Sequence, residues 1–246
     1  MNNTTAIAPI LKIKDLRKSF GDNHVLNGFT MNLHKGENLV IMGKSGSGKS
    51  VMIKCLVGLM EPDSGYIEIM GKDISKLKRN QLDKLRTEIG FLFQGSALYD
   101  SMTVRENLEF PQRKHQKKFG DKEKLVLKAL DSVGLADAID LMPEELSGGM
   151  KRRVALARAI ILNPKIIIYD EPTTGLDPIT AKEIIELMRK IQKDYGSSSL
   201  IITHDVDCSR VISNRMILLI DGINYAEGTF KELSSSKDKK IQAFFK

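Results

Sequence analysis

The run Gly43-Lys44-Ser45-Gly46-Ser47-Gly48-Lys49-Ser50 constrains this chain more than any other feature. It fits G-x-x-x-x-G-K-[ST], a loop whose consecutive backbone N–H groups wrap phosphates, and it requires a strand before it and a helix after it. Both are readable. Asn38–Met42 is an apolar strand candidate, and Ile53, Leu56, Val57 and Met60 take the i, i+3, i+4, i+7 spacing of a buried helical face. Gly43, Lys44, Ser45, Gly46, Ser47, Gly48, Lys49, Ser50 and Val51 are therefore the candidate phosphate-binding residues. Lys49 neutralises phosphate charge, the Ser50 hydroxyl is suited to Mg²⁺, and the helix N-terminus adds partial positive charge. A flexible Gly/Ser turn is the plainer alternative, and the strand–loop–helix setting argues against it.

Further along, Leu146-Ser147-Gly148-Gly149-Met150 opens a later helix, with Ser147, ninety-eight positions after Lys49, as N-cap and bare amides in its first turn. This is a second anion site. Two phosphate-binding helix ends so far apart suggest one nucleotide held between two copies of the chain.

At 246 residues and 41% apolar content there is material for a large core. No internal repeat or low-complexity linker interrupts it, so a single domain over 1–246 is expected. Within it, a helical subdomain at about 95–162 and a short basic tail at 237–246 are expected. No apolar run approaches the roughly 18 residues of a spanning helix. Met1–Pro9 lacks the basic start and apolar stretch of a signal peptide. A cytoplasmic, by itself soluble protein is the expectation. Cys55 and Cys208 are too few for a disulfide framework, and Cys55 reads as a reduced, buried small hydrophobe. The net charge of +7 gathers at Arg113–Lys118 and Lys237–Lys246. It reads as a solvated basic face or as attraction to lipid headgroups. The aromatics beside it (Phe119, Phe244, Phe245) flank the charges without interleaving, which argues against nucleic acid.

Leu11–Leu16, Val25–Leu33 and Tyr66–Met70 read as strands of an antiparallel β layer. Ile166–Tyr169 and Leu200–Thr203 read as strands separated by an amphipathic helix, with Ile184, Leu187, Met188 and Ile191 on one face. Such βα alternation implies a parallel sheet with its ligand at the strands' C-terminal ends. Ile166-Ile167-Ile168-Tyr169-Asp170-Glu171 then delivers two carboxylates to that edge. Asp170 is suited to Mg²⁺ and Glu171 to orienting or deprotonating an attacking water. A plain solvent-exposed strand end is the alternative.

With these pieces the chain resembles the ATPase domain of ABC transporters over nearly its whole length. The resemblance implies a P-loop NTPase (RecA-like) α/β fold with an antiparallel β subdomain and an inserted helical subdomain, binding ATP and Mg²⁺. Gln94, after the strand candidate Ile89–Phe93, matches the Q-loop, whose amide contacts Mg²⁺ and the attacking water. Ser147-Gly148-Gly149 match the signature motif, which binds the γ-phosphate of ATP held by the opposite subunit. Gly175-Leu176-Asp177 match the D-loop, His204 the switch histidine, and Phe20, with Val25 beside it, the aromatic that stacks on adenine. Taken alone, His204 reads more readily as a core histidine. One departure stands out: Met150 replaces the usual signature Gln, so any amide contact that Gln makes is lost.

Finer strings narrow the resemblance. Gly48–Val51, Leu146–Arg158, Gly175–Thr180 and Phe93–Val104 look like the Mla-type ATPases, which serve phospholipid permeases with MCE-domain partners. This implies a homodimer driving a separate transmembrane permease from the inner face of the membrane, with an MCE-domain lipid-binding protein as a further partner. A small-solute importer or a lipoprotein-release ATPase is the alternative within transport. A non-transport ABC protein acting on nucleic acid or ribosomes is disfavoured by the single P-loop and the absence of a long heptad run. Ala97, Leu98, Tyr99 and Met102, just after Gln94, form an apolar-rich cluster expected to anchor a permease helix, unless it is folded into the core.

Overall fold

The computed structural model describes residues 8–113 and 122–245. The basic run that begins at Arg113 therefore continues, at 114–118, outside the described residues, as do Phe119 and the first seven positions. The chain forms two compact units, one running to Lys84 and resuming at Ser213, the other spanning Leu85–Ile212.

The first unit carries the expected antiparallel layer, ordered Asn23–Leu33, Leu11–Phe20, Ser64–Ile69 and Lys72–Asp73. Leu11 faces Leu33 on one side and Ile69 on the other, and Ile13 likewise faces Met31 and Ile67. All six side chains are buried. A one-residue slip would turn this apolar set to solvent, so the period-2 pattern fixes the register. The same unit holds the strand Asn38–Met42, buried at every position, parallel to Arg215–Ile220. Ile223–Gly228 returns antiparallel after the Asp221-Gly222 turn.

The helix Lys49–Leu56 follows the Gly-rich loop. Its buried residues are Met52, Ile53, Cys55 and Leu56, a correction to the expected face: Val57 is already the C-cap and Met60 lies beyond the helix. Gly58, at φ 68°, follows the C-cap and ends the helix before a third full turn forms. Cys55 is a buried free thiol, as expected, and burial raises its pKa.

In the second unit three strands run parallel, Ile89–Leu92, Ile166–Asp170 and Ser198–Thr203. The last two are buried along almost their whole length, as strands covered on both faces must be. The helix Pro178–Tyr195 connects them and buries Ile184, Ile185, Met188 and Ile191. Its apolar stripe leans toward Ile185, leaving Leu187 half-buried on the flank. Helices Val104–Glu109, Lys122–Ser132 and Gly148–Ile160 occupy the segment read as helical and pack on one another. Mixed parallel and antiparallel sheets with helices between them give the α/β architecture that the P-loop pattern requires.

Candidate nucleotide site

The loop Gly43–Ser50 is built for an anion. Gly48 adopts φ 101° and precedes the helix Lys49–Leu56, whose first turn has neither a side-chain cap nor an acidic residue. Helix N-terminal amides left in that state need an outside acceptor. A Cβ at Gly43 would run into Ser47 Oγ and the Leu219 carbonyl, so only glycine fits there. Lys49 Nζ donates to the carbonyls of Gly43 at 2.6 Å and Lys44 at 3.0 Å, curling the loop around an ammonium. Ser47 Oγ is buried and has no partner among the described residues. These features fit phosphate. Ser50 is exposed at the start of the helix and Val51 follows it half-buried.

Lys44–Ser47 also line a cavity of about 800 Å³ shared with Val25 and the Asp221-Gly222 turn. Its remaining wall includes Lys239 and Phe244 from the C-terminal segment, which the sequence offered only as basic tail. That segment is ordered: Lys239–Gln242 is helical, Ile241 is buried, and Phe245 meets the Phe230 ring edge-on at 5.5 Å. Phe20 is not among the lining residues. It sits at the end of its strand, 49% exposed, with Lys18 Nζ 5.7 Å from the ring centroid.

The second unit gathers the other candidates along one edge. Tyr169 pairs with Leu92 and with Ile201, so the three parallel strands end in step. Gln94, Asp170-Glu171 and His204 follow at that shared C-terminal edge. Glu171 is buried, has φ 50° and donates its N–H to the Ile202 carbonyl at 2.8 Å. Left-handed backbone is costly for a residue with a Cβ, and it aims this carboxylate. Glu171 Oε2 lies 2.8 Å from His204 Nδ1 and accepts from Thr174 Oγ1 at 3.0 Å. An ionised carboxylate only accepts, so Nδ1–H is the donor of that contact. Thr173 Oγ1 donates to Asp205 Oδ2 at 2.8 Å, tying the loop after Glu171 to the residue after His204. Asp205 carried no signal in the sequence reading. Gln94 lies in an exposed turn just beyond its strand, which ends at Leu92.

Ser147 and Asp177 come together. Ser147, Gly148, Gly149 and Asp177 all line a cavity of about 400 Å³, with Met150 and Arg153 also on its wall. Ser147 Oγ caps its helix by accepting from Met150 N at 3.2 Å. Asp177 caps Pro178–Tyr195 through Ile179 N and Thr180 N, both at 3.0 Å, and accepts from Thr180 Oγ1 at 2.5 Å. The Thr180 hydroxyl is the main cause that holds the Asp177 carboxyl below its ordinary pKa. Arg153 donates to Glu183 at 2.7 Å beside the same cavity.

The profile of the ABC transporter family matches residues 26–174. The methionine import ATP-binding protein MetN of Brucella abortus is 38% identical over 221 residues, 90% of this chain and 60% of its own length. The chain therefore spans about three-fifths of that relative. The intermembrane phospholipid transport system ATP-binding protein MlaF of Haemophilus influenzae is 37% identical over 96% of this chain and 90% of its own. Among solved structures, the dimeric post-hydrolysis state of the ATP-binding cassette MJ0796 bound to ADP and Pi superposes with a TM-score of 0.79 at 33% identity. That match covers 89% of this chain and 98% of the other.

Proposed function

This chain belongs to the ABC transporter family, and on that premise we propose that it is an ATP-hydrolysing subunit that drives a separate membrane permease. The observation that carries the proposal is the Glu171–His204 pair at the edge where the parallel strands end. Gly43–Ser50 binds the phosphates of ATP, and Phe20 and Val25 flank the base. Glu171 Oε2 is occupied by His204 and Thr174, which leaves Oε1 to receive a proton from water. The water oxygen forms a bond to the γ-phosphorus as the bond to the ADP oxygen breaks, and the proton passes to Glu171. Gln94 orients that water, and His204 holds the carboxylate. Ser50, Gln94 and Asp170 would hold Mg²⁺, which neutralises charge on the phosphates. Ser147, Gly148, Gly149 and Asp177 contact ATP held by a second copy, so two chains close over two nucleotides. The dimeric ADP- and Pi-bound relative supports that arrangement.

Phospholipid is the proposed cargo, with an MCE-domain protein as further partner. The support is the match to MlaF over 90% of that protein's length, where MetN proteins are matched over 60% to 75% of theirs. Import of a small solute such as methionine is the second reading, at equal sequence identity. No helix among the described residues is long and apolar enough to cross a membrane, so attachment is proposed to come through the permease.

Glu171→Gln tests the chemistry. The Gln carbonyl can keep both hydrogen bonds now made to Oε2, while the NH₂ replaces the free acceptor. The variant is expected to bind ATP normally, to turn over about 10²–10⁴-fold more slowly, and to accumulate as an ATP-bound dimer. Wild-type turnover would remove Glu171 from the mechanism. Cargo is tested by reconstituting the complex in vesicles and measuring ATP-dependent phospholipid movement against methionine uptake; uptake without lipid movement would favour the importer.

A further inference from the structure

Arg152 is out of place by composition. It sits in the helix Gly148–Ile160 among Val154, Ala155 and Leu156, is only 4% exposed, and is charged. No carboxylate pairs with it and its Nε has no partner among the described residues. A buried cation without a counter-ion carries a heavy desolvation penalty, and packing at this position would be served as well by an apolar side chain. Its two terminal nitrogens reach different loops. Nη1 donates to the Phe93 carbonyl at 2.9 Å, one residue before Gln94. Nη2 donates to the Thr174 carbonyl at 3.1 Å, one residue before Gly175-Leu176-Asp177.

We infer that Arg152 is a positioning residue that ties the Gln94 loop to the Thr174–Asp177 loop, so that the two shift as one. The flat fork of a guanidinium holds two donor nitrogens apart and so reaches two carbonyls of separate segments; a lysine ammonium, a compact point charge, reaches two carbonyls only where they lie close together. The far end of the Gln94 loop is held as well. Arg158, from the same helix, donates to the Ser96 and Ala97 carbonyls, both at 2.8 Å. Ser96 and Ala97 are in left-handed backbone, at φ 63° and 49°, so their conformation needs such support. Arg158 grips one loop; Arg152 grips two. Thr174 continues the line, because its hydroxyl donates to Glu171 Oε2. A contiguous chain of hydrogen bonds thus runs from the Phe93 carbonyl through Arg152 and Thr174 to the carboxylate assigned to the water. Moving the Gln94 loop pulls on that carboxylate and, in the same motion, on the residues that face the second copy. The inference rests on the proposed role of Glu171.

The experiment uses the full chain with Arg152→Lys, Arg152→Met and Thr174→Val. Arg152→Met is expected to lower kcat about tenfold or more while KM for ATP stays within about twofold, because the cradle is untouched. Arg152→Lys should show a smaller loss, having lost one of the two carbonyls. In both variants amide hydrogen exchange should quicken together at 94–97 and 174–177, with the strand Ile166–Asp170 protected as before. The double variant Arg152→Met/Thr174→Val should turn over no more slowly than the slower single variant, since both cut one line. A purely structural arginine would instead lower the melting temperature, loosen the whole of Gly148–Ile160 and give multiplicative losses. Exchange rising in one loop alone, multiplicative losses, or wild-type kcat in both arginine variants while Glu171→Gln is inactive would overturn the inference. Wild-type turnover in Glu171→Gln would strike the proposed chemistry instead, and the exchange at the two loops would still decide the tie.

Discussion

Tyr99→Ala separates a docking surface from a core position. The Tyr99 side of the Gln94 loop is fixed by its backbone: Tyr99 N donates to Asn107 Oδ1 at 2.8 Å, and Asn107 Nδ2 donates to the Tyr99 carbonyl at 3.1 Å. Asn107 is fully buried, so this scaffold survives loss of the ring. The ring itself is 42% exposed, packs at 4.6 Å on Phe110 and lies 5.9 Å from the Arg158 guanidinium. Burying a whole large apolar side chain contributes roughly 1.5–3 kcal/mol, so the covered half of this one contributes about 1–1.5. The aromatic pair adds about 0.5–1 kcal/mol. Truncation should therefore cost about 2 kcal/mol, which for a chain of this size lowers Tm by about 4–8 °C. As an aromatic anchor for a permease helix, the same ring should be worth 2 kcal/mol or more in binding, an affinity loss of about 30-fold. Thermal melting of the purified chain and titration of the permease complex measure the two numbers separately. ATP binding should be unchanged. A Tm drop beyond about 15 °C with normal assembly would put Tyr99 in the core and refute the docking surface.

Ser147→Arg should abolish hydrolysis while leaving ATP binding through the chain's own cradle, and it should cost about 1 kcal/mol of stability from the lost cap. Equilibrium ATP binding and steady-state ATPase read these apart, and full activity would argue against two copies sharing each nucleotide. Asp177 predicts an acid limb. Its carboxyl is held below the ordinary 3.8 by the Thr180 hydroxyl and by two helix amides. Its stabilising effect is therefore complete above that value and fades as pH falls through the lower folded pKa. Asp177→Asn keeps an N-cap and should flatten this part of the melting-temperature profile on the acid side of Asp177's ordinary pKa; an unchanged profile would mean the cap is not what stabilises the helix start.

The parts legible in sequence were those where local chemistry dictates backbone. Asn38–Met42 was read to the residue because an apolar run meets a glycine at Gly43. Glu171 is readable from the apolar strand it follows, whereas Gln94 and His204 stand out only through the resemblance to ABC ATPase motifs. Asp177 stands out in the sequence as part of the D-loop match, and the structure also makes it the cap of Pro178–Tyr195; the Asp-Pro pair, a cap followed by proline at the first helical position, is the signal for that second role. What the sequence hid depends on long-range packing. Arg152 looks like a surface cation beside Lys151 and Arg153, and only the tertiary fold shows it buried between two loops. Lys239 and Phe244 look like solvated tail until the C-terminal helix is seen lining the cavity with Lys44–Ser47. Ile185 replaces Leu187 on the buried stripe because the angle at which a helix settles is set by its neighbours and not by its own periodicity.

Cargo is illegible for a related reason. Every residue given a role in the proposed mechanism would handle phosphate, water or the second copy, and that chemistry is the same whatever crosses the membrane. MetN at 38% identity and MlaF at 37% are matched equally well on that account. On the proposed function, selection for a cargo acts where the chain meets its permease, and the exposed aromatics on either side of Gln94 answer that description: Phe93, Tyr99 and Phe110 are each more than a third exposed. That surface is wired inward, since Arg152 holds the Phe93 carbonyl and Arg158 holds the turn before Tyr99. A permease helix seated there would bear on the backbone that leads to Glu171. Exchanging residues 97–110 for those of an importer subunit should therefore change which permease is bound and leave the basal ATPase of the free chain intact. Loss of basal ATPase in that chimera would mean that hydrolysis and docking are not separable, and that the loop sets chemistry as well as partner choice.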